Sequence, residues 1–184
     1  YQALKRHRDV YSDEPGQLKI PFTVSGGIDP YKILEKPVRY MGTKYEQAFI
    51  EKRDTAISEG KWKLWENEKI VVAGMTKRIE AVFVSNPLGI GVGTYAIHDF
   101  GAFDKYSLLG ILNSSFISYY LATKFKAKHL AGGYLAINKE TLEQLPVSSV
   151  EMSDPRYLQV ADLARKLNQG GASDEVTSRQ LAKI

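Results

Sequence analysis

Several groups of residues in this sequence have types and spacings that chemistry uses. His98-Asp99 pairs an imidazole with a carboxylate, but no nucleophile or third partner accompanies it, so a satisfied structural histidine is the expectation. Asp29, taken with Glu66-Asn67-Glu68-Lys69, would suit a metal-dependent nuclease; Lys69, however, heads an apolar run and is expected to begin a buried strand. GIGVGT, Gly89 to Thr94, imitates a nucleotide-binding loop. Such a loop must open a helix so that phosphate meets a helix N-terminus, whereas a strand-like run follows here and a hairpin turn is expected. No GK[ST] occurs, which excludes a P-loop. Trp62 and Trp65 interleave with lysines in KWKLWE, either as a stacking platform for bases or, the preferred reading, as an anchor to the core.

The strongest of these signals is YSLLGILNSSFISYYLATKFKAKH, Tyr106 to His129. An uncharged run ends in Lys124, Lys126 and Lys128, then His129 and the glycines of LAGGY. Cations near a helix C-terminus complement its dipole, but so dense a cluster exceeds what capping requires. Phosphate contacts are expected here, with Gly132 and Gly133 letting backbone approach a ligand. The whole chain carries a net charge of +4, and residues 101–139, with five lysines against Asp104, hold that same excess alone. Local fields of this kind attract polyanions, although a solvated surface has the same composition.

The elements that would position these residues follow from periodicity. LKIPFTV alternates Leu18, Ile20, Phe22 and Val24 as a strand does, with Pro21 marking an edge or bend. PVRYM reads as a short strand, and KYEQAFIEKRDTAISEG as a helix with Tyr45, Phe49 and Ala56 inward and Gly60 at its end. KIVVAGMT, IEAVFVS and VGTYAIH are strand-like, and their short connections favour antiparallel neighbours. The uncharged run is then read as one long helix. Ser107, Gly110, Ser114 and Ser118 form a small-polar stripe on it, which suits a helix buried in a protein rather than in a bilayer. GGYLAIN reads as a strand, Asn138 as the cap of a short helix, and Asp154-Pro155 as the opening of a helix striped by Tyr157, Val160, Ala161, Ala164 and Leu167. The expected fold is α+β: an antiparallel or mixed sheet, a long buried helix and C-terminal helices.

The 184 residues suit one domain, and the absence of cysteine rules out a disulfide scaffold and fits a reducing, cytoplasmic setting. The opening YQALKRHRDV has neither an initiator Met nor an apolar segment, so a fragment of a longer protein without a signal peptide is expected.

YSLLGILNSSFISYYL followed by GGYLAINKETLEQLPV resembles the TaqI-like specificity domains. These are the target-recognition domains of adenine-N6 DNA methyltransferases and of fused type IIG restriction–modification enzymes. Leu112, Asn113, Ser114, Leu142, Leu145 and Pro146 carry the likeness, with Gly27, Ile28, Asp29, Tyr31, Lys69, Ile70 and Val71 upstream. It covers roughly residues 18–150 and is strongest over 106–146. A departure lies after the KIVV strand: the family often has an arginine there, and this chain has Ala73-Gly74-Met75-Thr76 before Lys77 and Arg78.

The resemblance implies sequence-specific binding of double-stranded DNA in support of methylation catalysed elsewhere. The chain lacks the family enzymes' Asn/Asp-Pro-Pro-aromatic tetrapeptide and cofactor-binding half, so no catalytic residue and no cofactor are expected in it. S-adenosylmethionine and a methyltransferase catalytic domain are expected in the parent polypeptide. Residues 1–150 would form the recognition domain and 151–184 a helical extension packing on it or on a partner domain. Backbone contacts are expected from Lys124, Lys126, Lys128, Lys77 and Arg39, and base-proximal contacts from Thr76, Arg78, His129 and Tyr134. The alternatives are a protein-interaction domain whose lysines meet an acidic partner, and a nuclease fragment.

Overall fold

The computed structural model describes residues 11–52, 57–125, 131–147 and 154–170. The chain runs through β1 (Tyr11–Ser12), β2 (Lys19–Thr23), β3 (Ile28–Asp29), β4 (Lys32–Ile33), β5 (Val38–Tyr40), β6 (Thr43–Tyr45) and β7 (Phe49–Glu51) to α1 (Glu59–Glu66). Next come β8 (Lys69–Ala73), β9 (Met75–Thr76), β10 (Ala81–Val84), β11 (Gly89–Ile90) and β12 (Thr94–Ile97). The last third holds α2 (Lys105–Leu112), α3 (Ser115–Lys124), β13 (Leu135–Ala136), α4 (Lys139–Glu143) and α5 (Pro155–Asn168). This is the expected α+β fold.

β8 organises the molecule because both of its faces are buried, which is why Ile70 to Ala73 read as a continuous apolar run. It pairs antiparallel with β10 on one side and β12 on the other. Val71 and Ala73 face one core, shared with Phe22, Tyr40, Ile50, Trp62 and Trp65. Ile70 and Val72 face a second core, built with Leu109, Leu112, Ile117, Leu121 and Leu135. The first core is roofed by a four-stranded sheet, β1-β7-β2-β11, in which only the β11–β2 pair is parallel. Trp62 and Trp65 are buried there, so the anchor reading holds.

Pro21 lies where the pairing of β2 changes hands. The Phe22 N–H donates to Ala48 on the β7 side, so position 21 faces the other edge, where the β11 ladder begins only at Phe22. Leu18 is exposed and Thr23 buried, against the expected alternation. GIGVGT is not a hairpin turn either, since Gly89 and Ile90 form β11 and run parallel to β2. A Cβ at Gly89 would lie 2.8 Å from Ile50, and one at Gly91 2.9 Å from Phe22 and Val24, so packing rather than phosphate accounts for these glycines.

Two expected helices are corrected. KYEQAFIEKRDTAISEG contains the end of β6 and all of β7, and the helix of this region, α1, begins only at Glu59 and includes Gly60 instead of ending there. Met41 and Gly42, both at positive φ, make a two-residue turn that pairs β5 with β6, and β7 is held between β1 and β2. Ala56 lies outside the described residues.

The uncharged run is likewise two helices, α2 and α3, parted at Asn113-Ser114. Ser114 caps α3 by accepting from the Ile117 N–H. Asn113 leaves the helix to reach β10, where its amide accepts from the Ala81 N–H and donates to the Ala81 carbonyl, both at 2.9 Å.

The small residues of α2 have a partner in α5. Ser107 donates to the Tyr157 carbonyl at 3.2 Å, and a Cβ at Gly110 would lie 2.6 Å from Val160. The stripe on α5 is thus covered by α2 of the same chain. Asp154 caps α5 and pairs with Arg156, which pulls its carboxyl down to about 2. No helix among the described residues is long and apolar enough to cross a membrane.

Candidate nucleic-acid interface

Residues 74–80 leave the central sheet as a loop with a fixed base and an exposed tip. The base is closed by the Ala73 N–H donating to the Glu80 carbonyl at 2.9 Å. Gly74 must be glycine, because a Cβ there would lie 2.5 Å from the carbonyl oxygen of Gly93, to which its own N–H donates. That close approach excludes an arginine at position 74. β9 then pairs antiparallel with β13, so Thr76 lies opposite Leu135, and the Ile137 N–H donates to Gly74. Ile79 is buried in the second core. Thr76 is also buried, and its hydroxyl donates to the Arg78 carbonyl at 2.7 Å. Lys77 and Arg78 project from this base, and Met75 is exposed beside them.

An open cleft of about 690 Å³ lies beside the tip. Ser25 forms part of one wall and is tied to the loop, its hydroxyl accepting from the Met75 N–H at 3.1 Å. Asp29 and Lys36 form another part. The Asp29 carboxylate is 3.8 Å from the Arg78 guanidinium and 3.5 Å from the Lys32 ammonium. Its backbone lies between Ile28, which is buried, and the half-buried Tyr31, whose N–H donates to the Ala81 carbonyl. Tyr134, just after Gly132 and Gly133 at positive φ, also lines the cleft. The Lys77 ammonium sits 5.7 Å above its ring. Glu80 lines the cleft as well, and burial, reinforced by the charge of Asp29, pushes its carboxyl up, while Thr76, Arg78 and Lys36 act in the opposite direction.

Of the nine residues expected at a site, the cleft gathers Thr76, Lys77, Arg78 and Tyr134. Arg39 is exposed on β5, opposite Lys44, and does not line it. Lys124 stands apart at the end of α3, where its ammonium donates to the Tyr120 hydroxyl at 2.6 Å. Lys126, Lys128 and His129 lie outside the described residues. The sequence reading missed Ser25, Lys36 and Glu80, and it gave Asp29 no part in a DNA site. The available signal was the segment Gly27 to Tyr31, which carried part of the family likeness.

The residues read as a possible nuclease centre have structural explanations. Lys69 is fully buried and its ammonium donates to the carbonyls of Trp65 and Asn67, closing the end of α1; burial lowers its pKa to about 8. Glu68 pairs with Lys105 at 2.7 Å, and His98 is exposed rather than satisfied in the core. Among the described residues no cluster of three or more histidine, aspartate or glutamate side chains is placed to hold a metal.

The model of one protein family, the TaqI-like C-terminal specificity domain, matches residues 26–147. The chain belongs to that family. No curated protein matches it. The matched span of this specificity domain includes every cleft residue except Ser25. It also includes Asn113, whose contact with β10 gives the Leu-Asn-Ser motif a structural purpose. α5 lies beyond the span, yet it packs on α2 inside it.

Proposed function

We propose that this specificity domain binds double-stranded DNA sequence-specifically for a restriction–modification adenine-N6 methyltransferase and is non-catalytic by itself. Methyl transfer from S-adenosylmethionine would belong to a catalytic domain of the same polypeptide. The observation that carries this reading is the braced loop inside the family span, which presents Lys77 and Arg78 beside the aromatic ring of Tyr134. A rigid base keeps the cost of ordering the tip low when it meets DNA. Lys77 at the tip and Lys124 on α3 supply phosphate contacts, which position the duplex without reading it. Polar groups inside the cleft meet base edges, which carry the sequence information.

Titration of duplex binding against salt tests this reading. Each phosphate neutralised releases counterions, so Lys77→Ala and Lys124→Ala should each reduce the slope of log affinity against log salt by about one. Lys124→Ala with Lys126→Ala should flatten it further. An unchanged slope in all of them contradicts the assignment. The chain with S-adenosylmethionine and duplex should transfer no methyl group, and measurable transfer would place a catalytic site in it.

A further inference from the structure

The cleft holds two carboxylates, Asp29 and Glu80, among three cations, Lys36, Lys77 and Arg78. A phosphate-binding groove has no use for carboxylates facing the ligand, since they repel its charge. Base edges differ: they offer amino groups that only an acceptor can satisfy. Arg78 and Asp29 already face each other at 3.8 Å, with the Arg78 side chain 62% exposed and that of Asp29 32% exposed. Asp29 comes from the β3–β4 hairpin and Arg78 from the loop after β9, and both are anchored through neighbouring buried residues, Ile28 and Ile79. A guanidinium and a carboxylate side by side present two donors followed by an acceptor. The major-groove edge of a guanine–cytosine pair presents two acceptors, guanine N7 and O6, followed by the cytosine amino donor. An adenine–thymine edge runs acceptor, donor, acceptor, and would set the adenine amino group against an arginine N–H.

We propose that Arg78 and Asp29 read one guanine–cytosine pair, which deepens the DNA-binding reading above and rests on it. Arg78 donates to guanine O6 and N7. One Asp29 oxygen, 3.8 Å from the guanidinium in the free chain, closes onto it and fixes its orientation. Its other oxygen, 3.5 Å from Lys32 in the free chain, accepts from the cytosine amino group. Lys77, on the rim, takes a flanking phosphate.

The experiment selects the best duplex for the full chain from a randomised pool, then replaces each guanine–cytosine pair in it by adenine–thymine. At one position the wild-type chain should lose about tenfold or more in affinity. In Arg78→Ala that penalty should shrink to within about threefold, and in Asp29→Asn, where Arg78 still meets guanine but loses its orienting carboxylate, it should fall below the wild-type value, while the penalties at other positions persist. Asp29→Asn keeps the shape of the side chain, and thermal unfolding of both variants confirms the fold. Penalties that stay unchanged in both variants overturn the inference. So does an equal loss on every duplex with a shallower salt slope in Arg78→Ala, which would make it a phosphate contact. A wild-type chain that binds all duplexes equally overturns this inference and leaves duplex binding standing. One that binds no duplex overturns both.

Discussion

Two asparagine side chains complete the outer edge of the central sheet. Asn113 pairs with both backbone groups of Ala81, and Asn168, the last residue of α5, pairs in the same way with Phe83 at 2.9 and 3.0 Å. A planar amide offers a donor and an acceptor just as a neighbouring peptide group does, so each stands in for one residue of an absent strand. An open edge would otherwise invite pairing with another chain. Asn113→Ala strands the N–H of the fully buried Ala81 and should cost about 1–3 kcal/mol, read as a lower urea midpoint. Lys69 gives a second residue-level expectation. Its pKa of about 8 lies below the ordinary lysine value of 10.5, so the unfolded chain binds more protons between the two values and stability rises with pH there. Relative to Lys69→Met, the wild-type chain should gain roughly 1–2 kcal/mol between about pH 7.5 and about pH 9.5. Urea titrations of both proteins at each pH check this, and a difference that stays constant would mean that Lys69 is not held depressed.

At the scale of elements, the seam between α2 and α5 depends on Gly110. A methyl there would meet Val160 at 2.6 Å and Ala164 at 3.3 Å, so Gly110→Ala should destabilise by roughly 1–3 kcal/mol despite the better helix propensity of alanine. Adding Val160→Ala should recover part of the loss, and a double-mutant cycle without coupling would count against this packing. The elements legible in the sequence were those whose signals are local. β8, β10 and β12 announce themselves by apolar β-branched runs, α4 by the Asn138 cap and α5 by Asp154-Pro155. Those misread are settled by distant partners. Tyr45 and Phe49 have helical spacing, but the turn at Met41-Gly42 and the β2 ladder make strands of them. Asn113-Ser114 looks tolerable inside a helix, and becomes a break only because Asn113 is drawn to Ala81. The cleft was half legible for the same reason. Thr76, Lys77 and Arg78 are neighbours in sequence and Tyr134 follows the glycines of LAGGY, whereas Ser25 and Asp29 reach the cleft only through the fold, Ser25 by its bond to Met75 and Asp29 on the β3–β4 hairpin.

At the scale of the whole molecule, two cores on the faces of one sheet hold the loop, the β3–β4 hairpin and Tyr134 in fixed relation. The net charge of +4 is too small to draw a polyanion over the entire surface, so attraction must come from local groups such as Lys77 and Lys124. Duplex binding should therefore weaken steeply with salt, yet discrimination among sequences should survive, because base-edge contacts do not depend on counterion release. The most direct measurement is selection by the wild-type chain from a pool of randomised duplexes at near-physiological salt. A domain that reads DNA will enrich a defined sequence containing at least one required guanine–cytosine pair and will prefer it over the same sequence as a single strand. A pool that emerges unenriched, or bound no better than an unrelated polyanion, would contradict the account.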